Sequence, residues 1–264
     1  MHAFRDRTVI ALISDIHSNI EALSAVWKDI EQNGCDKVYC LGDIVGYGPN
    51  PEQCIDIIMH KCDICTMGNH DFGVVKMPFG FNRFARASIE WTKTRLKPGI
   101  LSLKKRKVWK WIDSLPHTHE ENNVSYLHAS PLDPIMDYVK EADVQDMGLG
   151  IGEKIKDIFS KIQRLCFIGH THKPAVITDD YQYIIPEELD DYTQTLDPER
   201  KYLINIGTVG PHRDKINTAC YLVFDEENRI TYRRIPYDYE TTIKKIEKIE
   251  EVDNRLGERL REGK

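Results

Sequence analysis

Short apolar runs alternate with longer amphipathic stretches through the first quarter of the chain. Residues 9–13, 37–41 and 64–67 are mostly apolar and have the length of strands. Such runs are typical of strands that are covered on both faces. Between the first two runs, apolar residues recur at helical spacing: Leu23, Val26, Trp27 and Ile30. Strands that alternate with helices predict an α/β chain with parallel strand pairing.

Capping signals mark the starts of the first two predicted helices. Ser18 and Glu21 have the spacing of a capping box. A second helix is predicted to extend to Ile58, and Asn50 and Pro51 suit its N-cap and its first helical position. Each of these helices therefore follows closely on the polar segment that ends a strand.

Residues 79–116 change to a pattern of helices with aromatic faces, which we interpret as a helical insertion or cap over the sheet edge. Its large aromatic side chains are Phe84, Trp91, Trp109 and Trp111. Basic residues do not interleave with them in a regular way, so packing is favoured over the stacking of nucleic acid bases.

Strand patterns resume after the insertion, at residues 124–127 and 165–168. The final third predicts antiparallel strands at residues 175–178, 181–185, 202–206, 219–224 and 230–235. The acidic stretch 186–200 is predicted to be a surface loop without strands. Residues 237–264 carry apolar residues at helical spacing and predict one C-terminal helix, docked on its own domain in preference to a partner.

Length and composition favour one large domain over residues 1–264, since 264 residues with 41% hydrophobic content can bury a core without disulfides. The seven cysteines are odd in number and lie mostly among apolar neighbours, which indicates a reduced, cytoplasmic protein. A net charge of −6 without a long basic stripe argues against binding of duplex nucleic acid. No apolar run is long enough to span a membrane.

Asp, Asn or His residues directly follow five of the predicted strands. They are Asp15 and His17, Asp43, Asn69 and His70, His128, and finally His170 and His172. Ligand sites in open α/β sheets lie at the carboxyl ends of strands, so these segments are expected to converge. One histidine alone would be a weak signal, but five of the ten histidines occur at these strand ends.

Oxygen and nitrogen donors without thiolate suit divalent transition metals such as Mn, Fe, Zn, Co or Ni. Seven donors exceed the needs of one tetrahedral site and match two metal ions that share a carboxylate. Paired metal ions about 3.5–4 Å apart can stabilise both the attacking and the leaving oxygen of an in-line displacement at phosphorus. The sequence therefore predicts hydrolysis of a phosphate ester.

These segments resemble the motifs of the calcineurin-like metallophosphoesterases. The motifs are DxH at Asp15 and His17, GD at Gly42 and Asp43, GNHD at residues 68–71, a lone His128, and GHxH at His170 and His172. All five occur in order over most of the chain. The resemblance implies a four-layer α-β-β-α sandwich of two mixed sheets flanked by helices, with residues 79–116 as the helical insertion.

The resemblance also implies a role for each residue. Asp15, His17 and His172 would hold one metal ion, Asn69, His128 and His170 the other, and Asp43 would bridge them. A bridging hydroxide would be the nucleophile. His70 would protonate the leaving oxygen or stabilise the transition state, and Asp71 would orient His70.

Longer phrases, including GDIVGYGPNP and HASPLDP, resemble a branch of small prokaryotic phosphodiesterases. Tyr47 stands where the protein Ser/Thr phosphatases and the symmetrical dinucleoside tetraphosphatases carry an arginine. The substrates of those two enzyme classes are therefore disfavoured. Arg213 is the candidate for substrate contact, with a surface salt bridge as the alternative. The predicted substrate is a small phosphodiester or nucleotide-like molecule. The alternatives are a phosphomonoesterase and a non-catalytic binding scaffold of the same fold.

Overall fold

Two six-stranded sheets form the centre of the computed structural model, which describes residues 8–144 and 150–264. In chain order the strands are β1 (Val9–Ile13), β2 (Lys37–Cys40), β3 (Ile64–Cys65), β4 (Thr118–Glu121), β5 (Val124–Leu127), β6 (Leu165–Ile168), β7 (Ala175–Thr178), β8 (Tyr183–Ile184), β9 (Thr193–Thr195), β10 (Tyr202–Asn205), β11 (Ala219–Asp225) and β12 (Arg229–Ile235). The α-helices are α1 (Ile20–Asn33), α2 (Pro51–Lys61), α3 (Asn69–Val75), α4 (Arg83–Leu96), α5 (Leu103–Asp113), α6 (Glu153–Lys161), α7 (Tyr239–Ile246) and α8 (Arg255–Glu262).

Both sheets are mixed. The first has the order β3-β2-β1-β11-β12-β9, and β1, β2 and β3 pair in parallel as the alternating pattern predicts. The second has the order β4-β5-β6-β10-β7-β8, in which β5, β6 and β10 are parallel. Parallel neighbours end at the same edge of their sheet, so the segments that follow β1, β2 and β3, and those that follow β5, β6 and β10, come together in two groups.

Apolar side chains hold the layers together. Leu12 and Leu222 of the first sheet and Phe167 and Ile204 of the second belong to one buried cluster between the sheets. A second cluster joins the outer face of the first sheet to α1–α5, and a third joins the outer face of the second sheet to α6. The predicted four-layer sandwich is therefore confirmed.

Two short polar strands depart from the sequence prediction. Residues 186–200 were expected to lack strands, but β9 pairs antiparallel with β12 at the sheet edge. The strand β4, likewise polar, pairs antiparallel with β5 and was not predicted. Neither Thr193–Thr195 nor Thr118–Glu121 has an alternating apolar pattern. Their hydrogen bonds to a neighbouring strand, rather than burial of their side chains, make them strands.

The helical insertion packs on the first sheet's helices. Helices α4 and α5 contact α3 and each other, and Trp109 and Trp111 pack against the buried cluster of that layer. Phe84 and Trp91 pack against another buried cluster, so the four aromatic residues of the prediction are packing residues, as expected. Among the described residues, no helix combines the length and apolar character that crossing a bilayer requires.

The C-terminal segment contains two helices where the apolar spacing predicts one. Helix α7 ends at Ile246, and α8 begins at Arg255 after Asn254. Apolar residues of both helices form one buried cluster with Tyr47 and Ala85. The segment is docked on its own chain, and the break between the helices lets both apolar faces reach that cluster.

The start of α1 also differs from the prediction. Asn19, not Ser18, is the N-cap, since the Asn19 side chain accepts a hydrogen bond from the Ala22 amide at 3.1 Å. Ser18 has a φ of +56° and belongs to the polar segment after β1. The N-cap predicted from Ser18 and Glu21 is therefore one residue before the N-cap that the structure shows.

Candidate metal centre

Every predicted metal-ligating residue lies in one buried cluster at the carboxyl ends of the parallel strands. Asp15 and His17 follow β1, Asp43 follows β2, Asn69 begins α3, His128 follows β5, and His170 and His172 follow β6. All seven side chains are buried. The sequence prediction that these segments converge is therefore met in space.

One group consists of Asp15, His17 and His172. The two imidazole Nε2 atoms lie 3.1 Å apart, and Asp15 Oδ1 lies 3.2 Å from His172 Nε2. Asp15 Oδ1 is buried and has no hydrogen-bond partner among the described residues. These three donor atoms point at one another rather than at hydrogen-bond donors.

The second group consists of Asn69, His128 and His170. His128 Nε2 lies 3.1 Å from Asn69 Oδ1 and 3.0 Å from His170 Nδ1. Asp43 lies between the two groups, because its Oδ2 is 3.5 Å from both His17 Nε2 and His128 Nε2. A carboxylate in this position can be shared by two cations.

Backbone carbonyl groups orient the four histidines. His17, His128 and His172 each place Nδ1 against a carbonyl oxygen, and His170 places Nε2 against one; the carbonyls belong to Val45, Leu41, Pro211 and Met136 respectively. A carbonyl oxygen can only accept, so the ring nitrogen that faces it carries the proton. The other nitrogen of each ring then turns a lone pair into the cluster.

The protonation states agree with this arrangement. Burial lowers the pKa of His128 and of His170 to about 4 and holds the pKa values of His17 and His172 well below the ordinary range. The rings are therefore neutral at neutral pH, with one proton each. The 3.1 Å contact between Nε2 of His17 and Nε2 of His172 therefore brings two lone pairs together. A cation bound by both nitrogen atoms would stabilise this arrangement.

The donor set fits two divalent transition-metal ions. Buried lone pairs face each other in both groups, and burial, followed by repulsion from Asp15 and Asp71, raises the pKa of Asp43 well above its usual range. A cation relieves such repulsion between carboxylates. Imidazole, carboxylate and amide donors suit Mn, Fe, Zn, Co or Ni.

Strained backbone concentrates at this cluster. Seven non-glycine residues here have φ between +48° and +66°: Asp15, His17, Ser18, Asp43, Tyr47, His170 and His172. A left-handed conformation costs a non-glycine residue about 1–2 kcal/mol. The surrounding contacts must supply that energy, as is common at functional sites.

His70 and Asp71 are both buried, but they do not make the predicted contact. Asp71 accepts hydrogen bonds from the amides of Ile44, Val45 and Gly68, which joins the segment after β2 to the start of α3. Among the described residues, His70 Nδ1 has no hydrogen-bond partner. Asp71 therefore holds the backbone that carries Asp43, and its predicted contact with His70 Nδ1 is not made.

Contacts from several directions position the His70 ring. Its centroid lies 4.6 Å from that of His17, 4.5 Å from Tyr47 and 4.9 Å from Phe81. Its amide donates to Asp43 Oδ1 at 2.8 Å. His70 can also complete a cluster of donor atoms with His17 and Asp43. The geometry alone therefore allows His70 to be a ligand as well as a group beside the metals.

Gly46 allows the His70 ring to approach the backbone, and we predict that Gly46→Ala destabilises the protein by about 2–4 kcal/mol. A Cβ at Gly46 would lie 2.2 Å from His70 Nδ1, and Gly46 has a φ of +89°. Denaturant unfolding of the metal-free protein measures the loss.

Gly80→Ala is the matched control for this substitution. Gly80 has a similar φ of +80°, but a Cβ there meets nothing within 4 Å. The control should lose only the conformational cost, about 1 kcal/mol. Equal losses in the two variants would show that the approach to His70 contributes nothing.

A cleft of about 520 Å³ opens beside the cluster. Its walls include His70, His170 and Arg213 as well as aromatic side chains of Tyr47, Phe79, Phe81 and Tyr138. Tyr138 stacks on His170 with ring centroids 3.9 Å apart. The sequence prediction placed Arg213 at the site, and the structure places it in this cleft.

Other residues of the cleft had no signal in the sequence. Tyr138 and Met136 lie in an irregular segment after β5, and Arg259 lies on α8. Each reaches the cleft only through the folding of the chain, since none follows a strand directly. Arg259 could not have been distinguished by sequence from its charged neighbours on the same helix.

Comparisons with known proteins agree with this geometry. A model of the family described as calcineurin-like phosphoesterase matches residues 8–200. The uncharacterised protein MJ0912 of Methanocaldococcus jannaschii is 38% identical over 96% of this chain and 98% of its own length. These matches cover the segments that supply all seven predicted ligands.

Solved structures share the fold. A metallophosphoesterase from Sphaerobacter thermophilus has a TM-score of 0.81 and 29% identity, with coverage of 98% of this chain and 100% of that chain. The hypothetical protein PH1004 from Pyrococcus horikoshii has a TM-score of 0.71 at 15% identity, with coverage of 97% and 99%. At 15% identity, the second likeness concerns the fold alone.

Proposed function

The chain belongs to the calcineurin-like phosphoesterase family, and we propose that it is a two-metal enzyme that hydrolyses a phosphodiester or nucleotide-like substrate. Membership of the family indicates a phosphoester hydrolase. The observation that carries the two-metal proposal is the position of Asp43, 3.5 Å from a histidine of each donor group.

Asp15, His17 and His172 would hold one ion, and Asn69, His128 and His170 the other, with Asp43 shared. Two divalent ions bound there would act as Lewis acids that stabilise the charge on a phosphoryl group. The carbonyl groups behind the histidines keep the donor lone pairs directed inward. Asp71 keeps the segment that carries Asp43 in place through its hydrogen bonds to backbone amides.

His70 is the proposed catalytic residue on the chain itself. Burial holds the pKa of His70 well below the ordinary range, so the ring is neutral at neutral pH. The ring borders the cleft, while its Nδ1 faces the backbone at Gly46. A neutral imidazole in this position can donate a hydrogen bond that stabilises the negative charge on the leaving oxygen or on the transition state.

Arg213 is the proposed substrate-binding residue at the metal centre. It lines the cleft together with His70 and His170, and its charge favours the ionised form of Asp43. An arginine in this position can bind an oxygen of the reacting phosphate.

The cleft supports an organic substrate rather than free phosphate. A volume of about 520 Å³ lies within the range of ligand sites, and aromatic rings form much of its wall. Tyr47, Phe79, Phe81 and Tyr138 offer ring faces and edges to a planar group, such as a nucleobase.

A substrate panel tests this proposal. We expect the purified protein to carry about two equivalents of transition metal and to hydrolyse bis-p-nitrophenyl phosphate and nucleotide diesters faster than phosphomonoesters. Elemental analysis measures the metals, and initial rates on cyclic nucleotides, dinucleotides and monoesters measure the preference. A preference for monoesters would refute the diester assignment. A stable, metal-free and inactive protein would indicate the scaffold alternative.

A further inference from the structure

The guanidinium group of Arg259 reaches the cleft from α8, and two of its nitrogen atoms have no hydrogen-bond partner in the described part of the chain. Nε and Nη2 of Arg259 are buried and form no hydrogen bond with any described residue. The residue keeps some solvent exposure overall, and it lines the same cleft as His70 and Arg213. Its Cζ lies 4.1 Å from the centre of the Tyr47 ring.

The two other arginines of α8 that lie near it are paired. Arg255 forms a salt bridge with Asp253 at 2.8 Å, and Arg261 forms one with Glu240 at 2.7 Å. Both of these arginines are exposed. Arg259 is the arginine of this helix that combines burial with unpartnered nitrogen atoms. Burial of a charge without partners is costly, so the arrangement needs a reason.

Like charge increases this cost. Burial lowers the pKa of Arg259 to about 10, Tyr47 opposes this shift, and the charge of Arg213 adds a smaller lowering. The side chain remains charged at neutral pH. Two guanidinium groups that share a cleft repel each other, and an anion between them or beside them would turn that repulsion into attraction.

Arg213 and Arg259 reach the cleft from different segments of the chain. Arg213 lies two residues after Pro211, whose carbonyl accepts the proton of His172 Nδ1, so it comes from the segment that orients a metal ligand. Arg259 comes from α8 and contacts the Tyr47 ring, which in turn contacts the His17 ring.

Packing holds Arg259 in this position. Leu256 and Leu260, on either side of it in α8, are buried in the cluster that contains Tyr47, Ile243 and Ile246. The side chain is therefore presented to the cleft by a helix with a buried face. Such preorganisation reduces the entropy lost when a ligand binds.

We propose that Arg259 binds a second phosphate group of the substrate, distinct from the phosphate that reacts at the metal centre. The inference rests on the proposed function, since it assigns the reacting phosphate to the metals and Arg213. It narrows the substrate class to organic esters that carry two phosphate groups. Its basis is the guanidinium that lines the cleft beside Tyr47, whose Nε and Nη2 have no hydrogen-bond partner among the described residues.

Calorimetric titration of the metal-loaded protein with two probes tests this assignment. The methylene analogue of ADP carries two linked phosphorus groups, and AMP carries one; phosphorus NMR after each titration checks that the probe is intact. Arg259→Gln should weaken binding of the ADP analogue about ten- to hundredfold, the range of hydrogen bonds to charged groups. It should change binding of AMP by less than about twofold.

Arg261→Gln is the matched control, because Arg261 lies on the same helix, is exposed and pairs with Glu240. It should leave the affinity for both probes unchanged. Equal losses for the two probes in Arg259→Gln, or no loss for either, would refute the assignment to a second phosphate.

Thermal stability separates a binding role from a structural one. Arg259→Met keeps an unbranched side chain to pack on Tyr47 but removes the unpartnered charge. Its melting temperature without probe should equal or exceed that of the wild type, because removal of a buried charge that is repelled by Arg213 outweighs the lost contact of the guanidinium with Tyr47. A lower melting temperature in both variants would assign Arg259 a structural role and refute the proposal.

The two proposals can fail separately. Binding of the ADP analogue needs no hydrolysis, so an effect specific to Arg259 can persist in a protein that hydrolyses no ester of the panel. In that case the phosphate site stands and the proposed function does not. If the protein hydrolyses bis-p-nitrophenyl phosphate but probe binding does not depend on Arg259, the proposed function stands and the second phosphate site does not.

Discussion

Asp43→Asn is expected to lower kcat/KM for bis-p-nitrophenyl phosphate at least about a hundredfold and to reduce the bound metal. Substitution even of residues behind metal ligands costs about 10–100-fold, so loss of a shared ligand should cost more. Asp43 Oδ2 lies 3.5 Å from His17 Nε2 and from His128 Nε2, so one substitution affects both donor groups.

The fold of Asp43→Asn should survive. An asparagine Oδ1 can still accept the hydrogen bond from the His70 amide, now 2.8 Å from Asp43 Oδ1. Because burial, followed by repulsion from Asp15 and Asp71, already raises the pKa of Asp43, removal of its charge should not destabilise the metal-free protein. The melting temperature without metal should therefore equal or exceed that of the wild type, while stabilisation by added metal falls.

Asp56→Asn provides the control for Asp43→Asn, since Asp56 lies on α2 with an exposed carboxylate. It should retain full activity and full metal content. Elemental analysis and initial rates measure both variants. Wild-type metal content and wild-type rates in Asp43→Asn would rule out the shared-carboxylate site.

His70→Gln is expected to lower kcat about a hundredfold to a thousandfold, the usual cost of removing a fixed hydrogen-bond donor from a developing negative charge. The metal content should stay at the wild-type value, because the two donor groups are complete without His70. The flexible glutamine side chain cannot reproduce the fixed position of the ring N–H, and KM should change much less than kcat.

The metal content of His70→Gln decides between two roles that the geometry allows. His70 lies within reach of a cluster with His17 and Asp43, so a ligand role would show as loss of metal together with loss of activity. His60→Gln, which changes an exposed histidine on α2, should alter neither quantity. Full metal content with undiminished kcat would contradict a catalytic role.

The convergence of the metal-ligating residues follows from local sequence patterns. An apolar run that ends abruptly in Asp, Asn or His places that residue at the carboxyl end of a buried strand, and parallel neighbours bring such ends together. Asp15, Asp43 and His128 could be located in this way, because burial and strand direction are both visible in the residues themselves. The four-layer arrangement was predicted through the resemblance of these same segments to a family.

Features that depend on neighbours distant in sequence could not be predicted in this way. The strands β4 and β9 are polar, and their hydrogen-bonding partners make them strands. Asp71 stands next to His70 in sequence, but its oxygens face the amides of Ile44 and Val45. The direction of a side chain is set by the donors that surround it, which a linear pattern does not contain.

The sequence by itself determined which residues can ligate metal, since residue type and position at a strand end are local properties. Their division into two groups around Asp43 was predicted through the family resemblance. The tertiary structure alone decided which donor atoms face one another around Asp43, and which carbonyl groups direct their lone pairs. It also brought Arg259 from the C-terminal helix to Tyr47 beside the metal ligands. Contacts of this kind result from the packing of helices and sheets, and helical spacing on α8 identifies only the face that is buried.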